Sequence, residues 1–287
     1  MRKLVRSLPA AALLLLAASP SRASTIPTPN AQDLSGTRAL GMGDAFIAVA
    51  SSNEAIYFNL AGLAQAHKYE IDLVYAFDPG NDLSRINGSI VDSKSTRLAT
   101  GLAYTHLKGD AAQGEVSGSI AHLGFGVPLA SRVAFGFGIK YLGFSDPRHA
   151  NAVTGDLGLL IRPVDFISIG GAAYNVIDID SPEAPRKLGA GIAVGTDTSF
   201  RLAFDTVWDV SQADTGIAWH AGGEYLFDDF MPIRAGFKRL EREDRNYVSG
   251  GFGFISDRAG IEFAYVQSLR KGESSDRIFS FTLSFFL

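Results

Sequence analysis

The feature that most constrains this chain is a period-two alternation of apolar residues with small or polar ones, which runs from His67 to the last residue. Between Val133 and Tyr141, every odd position is aromatic or β-branched, and every even position is alanine, glycine or lysine. Such alternation is the pattern of a β-strand whose two faces meet different surroundings. The sequence therefore predicts an all-β fold in which each strand separates an apolar environment from a polar or crowded one.

The alternation divides into about fourteen segments, each close to the length of a tilted strand that crosses a membrane. The predicted ranges are 67–78, 82–92, 96–107, 115–127, 131–143, 153–162, 165–175, 187–195, 199–209, 216–227, 231–240, 246–255, 259–269 and 276–287. A miscounted hairpin would leave about twelve strands, so the prediction is about 12 to 14. Longer polar links alternate with tight turns, which is typical of an outer-membrane barrel.

Charged residues inside these segments keep to the face opposite the apolar one. A barrel in a membrane needs an apolar outer face and tolerates a wet interior, and the 31 glycines and 20 phenylalanines suit such a barrel. The alternative is a soluble β-sandwich with an aromatic core. The barrel interpretation predicts a polar cluster in the lumen, formed by Glu70, Asp72, Lys140, Arg201, Asp205, His220, Glu224, Arg234, Lys238 and Glu262. We expect these residues to pair with one another and with the N-terminal segment, and contact with a ligand is the alternative.

The first residues predict the compartment. Basic residues precede an apolar run from Ala10 to Ala18 and small residues that end at Ala23, which is the pattern of a signal peptide over residues 1–23. Its removal leaves 22 of the 26 basic residues against 30 acidic ones, a balance that argues against nucleic acid as a partner. The chain has no cysteine, which excludes a lipoprotein anchor, disulfides and thiolate metal sites. We therefore expect export to the outer membrane of a Gram-negative cell.

The stretch GTRALGMGDAFIAVASSNEAIYFNLAGLAQ, residues 36–65, comes before the alternation. Gly41 and Gly43 are similar to a dinucleotide-binding loop, but Phe46 replaces the third glycine and no βαβ pattern surrounds them, so no cofactor is expected. The residues predict an extended stretch from Arg38 to Val49, a polar break, and a helix from Glu54 to Ala61 with Gly62 in the C′ position. A helix this short needs external support, and the lumen of the barrel would supply it.

The part RALGMGDAFIAVASSNEAIYFNLAGLAQ resembles the N-terminal signature of the FadL-type superfamily of outer-membrane barrels, which includes a PorV-like branch. The matching residues are Arg38, Ala39, Gly41, Met42, Gly43, Ala45, Phe46, Ala48, Ala55, Asn59, Ala61, Gly62 and Leu63. Leu60 stands where the family usually has proline. The resemblance implies a barrel of fourteen strands over residues 67–287 and a hatch over residues 24–66 that folds into the lumen. The hatch or gating candidates are Arg38, Leu40, Met42, Phe46, Tyr57, Phe58, Asn59 and Gly62.

The resemblance also implies two classes of function. FadL-type members transport hydrophobic compounds, and PorV-like members act in protein secretion or surface attachment. We expect passive transport of small hydrophobic molecules, with secretion or surface assembly as the alternative. The expected partners are outer-membrane lipid and either a small hydrophobic ligand or a secretion or surface protein. The five histidines lack a metal-binding spacing or a nucleophile motif, so neither a metal site nor an enzyme is predicted.

Overall fold

The computed structural model describes residues 36–79, 82–111, 114–145, 151–181, 183–211, 216–269 and 277–287. Fourteen antiparallel strands form a closed barrel in which each strand pairs with its neighbours in the chain and β1 pairs with β14. The strands are β1 (Tyr69–Asp78), β2 (Leu83–Asp92), β3 (Ala99–Ala111), β4 (Gly114–Ala130), β5 (Val133–Phe144), β6 (Asn151–Val164), β7 (Ile167–Tyr174), β8 (Lys187–Gly195), β9 (Phe200–Asp209), β10 (Gly216–Phe227), β11 (Met231–Leu240), β12 (Arg245–Ile255), β13 (Ala259–Ser268) and β14 (Arg277–Phe286). The prediction of a fourteen-stranded barrel is confirmed. The predicted signal peptide lies outside the described residues.

Most strand boundaries lie within two or three residues of the predicted ones, because the alternation that defines a strand is local to it. The largest difference is at the end of β3, predicted at residue 107 and observed at Ala111. β4 also runs further than predicted, to Ala130 instead of residue 127. Its pairing with β5 shifts register between Pro128 and Ala130. Proline lacks a backbone donor, and a register shift is one of the places where a sheet accommodates it.

The two faces of the barrel differ as the charge pattern predicts. Large apolar side chains are exposed on the outside, among them Ile86 (61%), Leu202 (59%) and Ile261 (62%). Inward residues are buried even when they carry charge, as Lys140 and Asp205 do. A closed sheet whose outer surface is apolar needs a lipid solvent around it. The soluble β-sandwich is therefore excluded, and the barrel spans a membrane.

Residues 36–65 lie inside the barrel and are called the lumenal segment below. They form α1 (Thr37–Gly41), a 3₁₀ helix (Ser52–Glu54), α2 (Ala55–Phe58) and a second 3₁₀ helix (Leu60–Gln65). None of the helices in the described ranges is long and apolar enough to cross a membrane. These short elements are buried on nearly all sides, so the barrel wall supplies the support that isolated turns lack.

Two details of the predicted segment are wrong. The stretch predicted as extended from Arg38 begins with α1, because a carboxylate from later in the segment binds the first backbone donors of that helix. The helix predicted to continue to Ala61 is interrupted at Asn59, whose backbone is extended (φ −160°, ψ 102°). Gly62 consequently lies within the second 3₁₀ helix and not in a C′ position.

Candidate functional site: the lumen and its N-terminal segment

The lumenal segment fits against a set of glycines on the inner wall. At eight of them, an added Cβ would lie within 3.4 Å of a backbone atom of the segment, closer than ordinary packing allows. These residues, called the glycine belt below, lie on β4–β8 and β10–β12 and are Gly126, Gly136, Gly158, Gly170, Gly191, Gly222, Gly236 and Gly251. Glycine lets two backbones approach this closely because it has no side chain. The belt therefore leaves no room for a solute between the segment and this part of the wall.

A chain of buried ion pairs binds the start of the segment to β10, β11 and β13. Arg38 donates from Nε and Nη2 to the two carboxylate oxygens of Glu224, at 2.8 and 2.6 Å. Arg234 donates to Glu224 at 2.6 Å and to Glu262 at 2.6 Å. The bidentate geometry and the burial make this a strong charge-assisted contact. Two arginines and two glutamates thus compensate one another across four elements of the lumen.

Glu54 holds α1 in place from within the segment. Its two carboxyl oxygens accept the backbone N–H groups of Arg38 at 2.9 Å and Ala39 at 2.8 Å. The first N–H groups of a helix have no partner within it, so this carboxyl acts as a cap supplied from fifteen residues away. Burial, with Glu262 nearby, raises the pKa of Glu54 to about 8. The two backbone donors and Arg38 oppose that shift.

The middle of the segment is bound through its backbone and one further ion pair. Asp205 on β9 accepts the N–H of Ile47 at 2.7 Å. His220 on β10 donates from Nδ1 to the carbonyl of Gly43 at 2.9 Å, and Lys238 on β11 pairs with Asp44 at 2.6 Å. The strands from β9 to β13, with β12 contributing through Ser249 and the carbonyl of Gly41, therefore bind residues 36–50 by polar contacts. Apolar side chains of the same stretch, such as Leu40 and Ile47, pack against the wall as well. A polar attachment can be exchanged for water, unlike a packed core.

The second half of the segment is bound by its asparagine and its aromatic residues. Asn59 donates to the carbonyls of Ile47 at 2.9 Å and Leu159 at 3.0 Å, and accepts the N–H of Ala61 at 3.2 Å. Tyr174 of β7 donates to the carbonyl of Phe58 at 2.6 Å. Asn59 thus ties both halves of the segment to the wall, which explains why the helix stops there.

A separate apolar cluster lines the inner wall beyond the segment, towards the ends of β3 and β5. It is formed by Leu107, Ile120, Leu142, Phe144 and Ala184, with Ile179 packed against it. Between this cluster and the segment, Lys140 binds both oxygens of Asp156 at 2.9 Å. The inner wall is therefore apolar here on β3, β4 and β5, and it is bordered by Arg85 of β2 opposite Leu107 and by the Lys140–Asp156 pair.

The structure places the predicted hatch candidates inside the barrel. Leu40 packs against Tyr247, Ala264 and Val266. Phe46 and Phe58 contact each other with ring centroids 5.3 Å apart. The remaining candidates are Arg38, Met42, Tyr57, Asn59 and Gly62, all within the segment.

The predicted polar cluster lies entirely on the inner face but does not form one site. Glu224, Arg234 and Glu262 are joined by ion pairs, and Lys238, His220 and Asp205 each bind the segment. Lys140 pairs with Asp156, Arg201 with Asp197 of the neighbouring turn, and Glu70 with Ser52 and Lys68. Asp72 lies beside Glu70 on the inner face of β1. Among the described residues, no group of three or more histidine, cysteine or acidic side chains could hold a metal ion.

Sequence reasoning missed several polar residues that contact the segment or belong to it, among them Asp44, Glu54, Asn87 and His122. Asn87 and His122 lie in the inward phase of β2 and β4, so the alternation contains their signal, and a search for charge alone passes over them. Asp44 and Glu54 lie where the backbone was predicted wrongly. The glycine belt was also missed. Its members lie at the same height in the barrel only because of the register of eight strands, which the sequence does not reveal.

Comparison with known proteins places the fold. No protein-family model matches the sequence, and no curated protein does. Among solved structures, the CymD monoaromatic hydrocarbon channel is similar, with a TM-score of 0.66 and 14% identity over 88% of this chain and 97% of its own. The Ralstonia pickettii toluene transporter TbuX has a TM-score of 0.62 and 14% identity over 88% of this chain and 97% of its own. The Pseudomonas putida toluene transporter TodX has a TM-score of 0.62 and 14% identity over 88% of this chain and 98% of its own. At this identity the similarity shows a common fold.

Proposed function

We propose that this chain is an outer-membrane channel of the FadL type, through which small hydrophobic molecules pass when the lumenal segment moves aside as a hatch. The fold is shared with proteins that are described as monoaromatic hydrocarbon and toluene channels. The N-terminal signature in residues 38–65 supports the same family. The signal peptide over residues 1–23 and the apolar outer wall support the outer membrane as its location.

The observation that carries the proposal is the way the segment is attached. It fills the lumen against the glycine belt, yet its first half is held by ion pairs and backbone contacts with β9–β13. Shape complementarity closes the barrel, and polar contacts can be exchanged for water as the segment leaves.

The class of solute follows from the far end of the lumen. The apolar cluster around Leu107, Ile120 and Leu142 is fully buried, and it would offer carbon surface to a solute once Ala184 and Ile179, which pack against it, move aside. Small apolar molecules gain about 25 cal/mol per Å² of surface removed from water, whereas ions would meet no unpaired charge at Lys140 or Asp156. We expect toluene to be a suitable test solute.

A disulfide lock tests whether the segment must move. The hydroxyl oxygens of Thr37 in α1 and Ser280 in β14 are 2.7 Å apart, so the two Cβ atoms are close enough for a disulfide after Thr37→Cys and Ser280→Cys. Because the chain has no cysteine of its own, this would be the single disulfide in the protein. We expect the oxidised variant in proteoliposomes to pass toluene at less than a tenth of the reduced rate.

The controls are the two single cysteine variants and the double variant after reduction, all of which should match the unmodified protein. Equal flux through the oxidised and reduced double variant would contradict the hatch. The PorV-like alternative, a platform for secretion or surface assembly, predicts a protein partner that is recovered by crosslinking and is indifferent to the lock. That outcome, together with no toluene flux in any variant, would favour the alternative.

A further inference from the structure

Tyr57 of α2 occupies a pocket in the inner wall with its side chain. Its hydroxyl oxygen accepts a hydrogen bond from Nδ2 of Asn87 on β2 at 2.7 Å. Its ring meets the imidazole of His122 on β4 edge to face, with centroids 5.4 Å apart and an interplanar angle of 88°. Asn87 also binds Thr105 of β3 at 2.7 Å, which fixes the orientation of the amide. The wall thus offers a ring-sized site with a donor at its polar end.

Among the described residues, two polar atoms of this site have no hydrogen-bond partner: Oδ1 of Asn87 and Nδ1 of His122. The relative exposures of the two residues are 9% and 5%. A buried polar atom without a partner costs free energy, and such atoms are few in native proteins, so each calls for an explanation. Both flank Tyr57, one at its hydroxyl and one at its ring. The site therefore has more hydrogen-bonding capacity than Tyr57 uses.

The position of the site in the lumen also matters. The glycine belt seals the segment against β4–β8 and β10–β12, where backbone meets backbone. On β2 and β4 the side chains of Asn87 and His122 contact Tyr57 of α2, whereas Gly101 of β3 packs closely on Ile56 of the same helix. Side chains can change rotamer without moving the wall. The Tyr57 side chain can therefore leave its site without a shift of the wall backbone.

We propose that the pocket of Asn87, Thr105 and His122 is a recognition site for small phenols, and that Tyr57 occupies it as an internal substitute while the lumen is closed. The inference rests on the proposed channel function and narrows its substrate class to aromatic molecules with one hydroxyl. An incoming phenol takes the place of the Tyr57 side chain, donates to Oδ1 of Asn87 and accepts from Nδ2. Displacement of Tyr57 then breaks the contacts of α2 with Asn87 of β2 and His122 of β4.

The test uses p-cresol, which is the tyrosine side chain as a free molecule, and toluene, which lacks only the hydroxyl. Binding to the full-length protein in detergent is measured by titration calorimetry, with empty micelles subtracted. Tyr57→Ala vacates the pocket, so it should bind p-cresol about tenfold more tightly than the unmodified protein does, and about tenfold more tightly than it binds toluene. Adding Asn87→Ala should remove the preference for p-cresol and leave toluene binding unchanged.

Tyr174→Ala is the matched control, because it also removes a buried inward phenol, one whose hydroxyl binds the carbonyl of Phe58. It should leave the ratio of the two affinities as it is in the unmodified protein. Tyr57→Phe is the second variant if Tyr57→Ala does not fold, and it should raise p-cresol affinity because its ring lacks the hydroxyl that holds Asn87. Folding is checked by circular dichroism and by the heat-induced shift of the band on a gel.

The outcomes separate the inference from the proposed function. Equal affinity of Tyr57→Ala for p-cresol and toluene, or a preference that survives Asn87→Ala, overturns the phenol site while toluene flux still supports the channel. A preference for p-cresol that depends on Asn87, in a protein that passes no solute, supports the site and overturns the channel. Binding of neither molecule by any variant overturns the site.

Discussion

At the scale of single residues, Glu224 is central to how the segment is held. It accepts from Arg38 of the segment and from Arg234 of the wall, and side chains of all three are at least four-fifths buried. Removing one partner from a buried ion pair leaves the remaining charge without compensation, which is far more costly than losing an exposed pair. Here one carboxylate compensates two guanidinium groups, so replacing it with a neutral amide leaves both positive charges without full compensation.

We predict that Glu224→Gln weakens docking of the segment by about 3–5 kcal/mol. Hydrogen exchange should increase in residues 36–50 and stay low in the strands, because the barrel does not depend on the ion pairs. Asp165→Asn is the control: Asp165 is 94% exposed and pairs with Arg132 at the surface, where the contact is worth below about 1 kcal/mol. Equal exchange in both variants would show that the ion-pair chain does not hold the segment.

The sequence predicted which face of the barrel a residue lies on, but it did not predict which residue that side chain pairs with. The phase of each strand placed Glu224, Arg234 and Glu262 correctly in the lumen, because inward and outward positions alternate along any strand. Their pairing with Arg38 depends on how far into the barrel α1 reaches. That distance depends on contacts between residues nearly two hundred positions apart, such as Arg38 and Glu224, which no local pattern encodes.

At the scale of elements, the glycine belt determines where the segment sits. Gly170 and Gly171 are neighbours on β7 that face opposite sides. A Cβ at Gly170 would lie 2.5 Å from the carbonyl oxygen of Ile47, whereas a Cβ at Gly171 would meet nothing within 4 Å. The two positions therefore separate the role of glycine in close packing from its effect on strand stability.

We predict that Gly170→Ala displaces the segment and raises toluene flux, whereas Gly171→Ala leaves flux unchanged. Both substitutions lower the conformational entropy of the unfolded chain by the same amount and so stabilise β7 equally. A difference in flux between the two variants therefore reports contact with the segment. Flux into proteoliposomes and protease cleavage within residues 36–65 are the measurements. The same flux from both variants would mean that the wall yields and the belt does not position the segment.

The elements themselves divide into those that local sequence encodes and those that it does not. Strands such as β5 and β10 follow their alternation almost to the residue. The start of the segment was predicted as extended and is helical, because Glu54 caps α1 from a distance and the lumen excludes water from its backbone. Tertiary context outweighs local preference in segments this short.

At the scale of the whole molecule, the outer wall should respond to charge according to depth. Phe137 lies near the middle of β5 and faces outwards, and Leu283 does so on β14. We predict that Phe137→Lys or Leu283→Lys destabilises the barrel by about 2–4 kcal/mol. Leu129→Lys, at the end of β4 where the side chain is 62% exposed, should cost no more than about 1 kcal/mol. Unfolding from lipid vesicles, followed by tryptophan fluorescence, measures all three, and equal costs would contradict the membrane-spanning assignment.

The pairing of β1 with β14 links closure of the barrel to the lumenal segment. The ring closes between strands that are about two hundred residues apart, from Glu70 opposite Phe286 to Phe77 opposite Phe279. Residues 36–65 precede β1 in the chain, and Thr37 contacts Ser280 and Thr282 of β14 from inside the ring. The seam that completes the wall is therefore also the part of the wall that the start of the segment touches, so the docked segment would stabilise the closed ring.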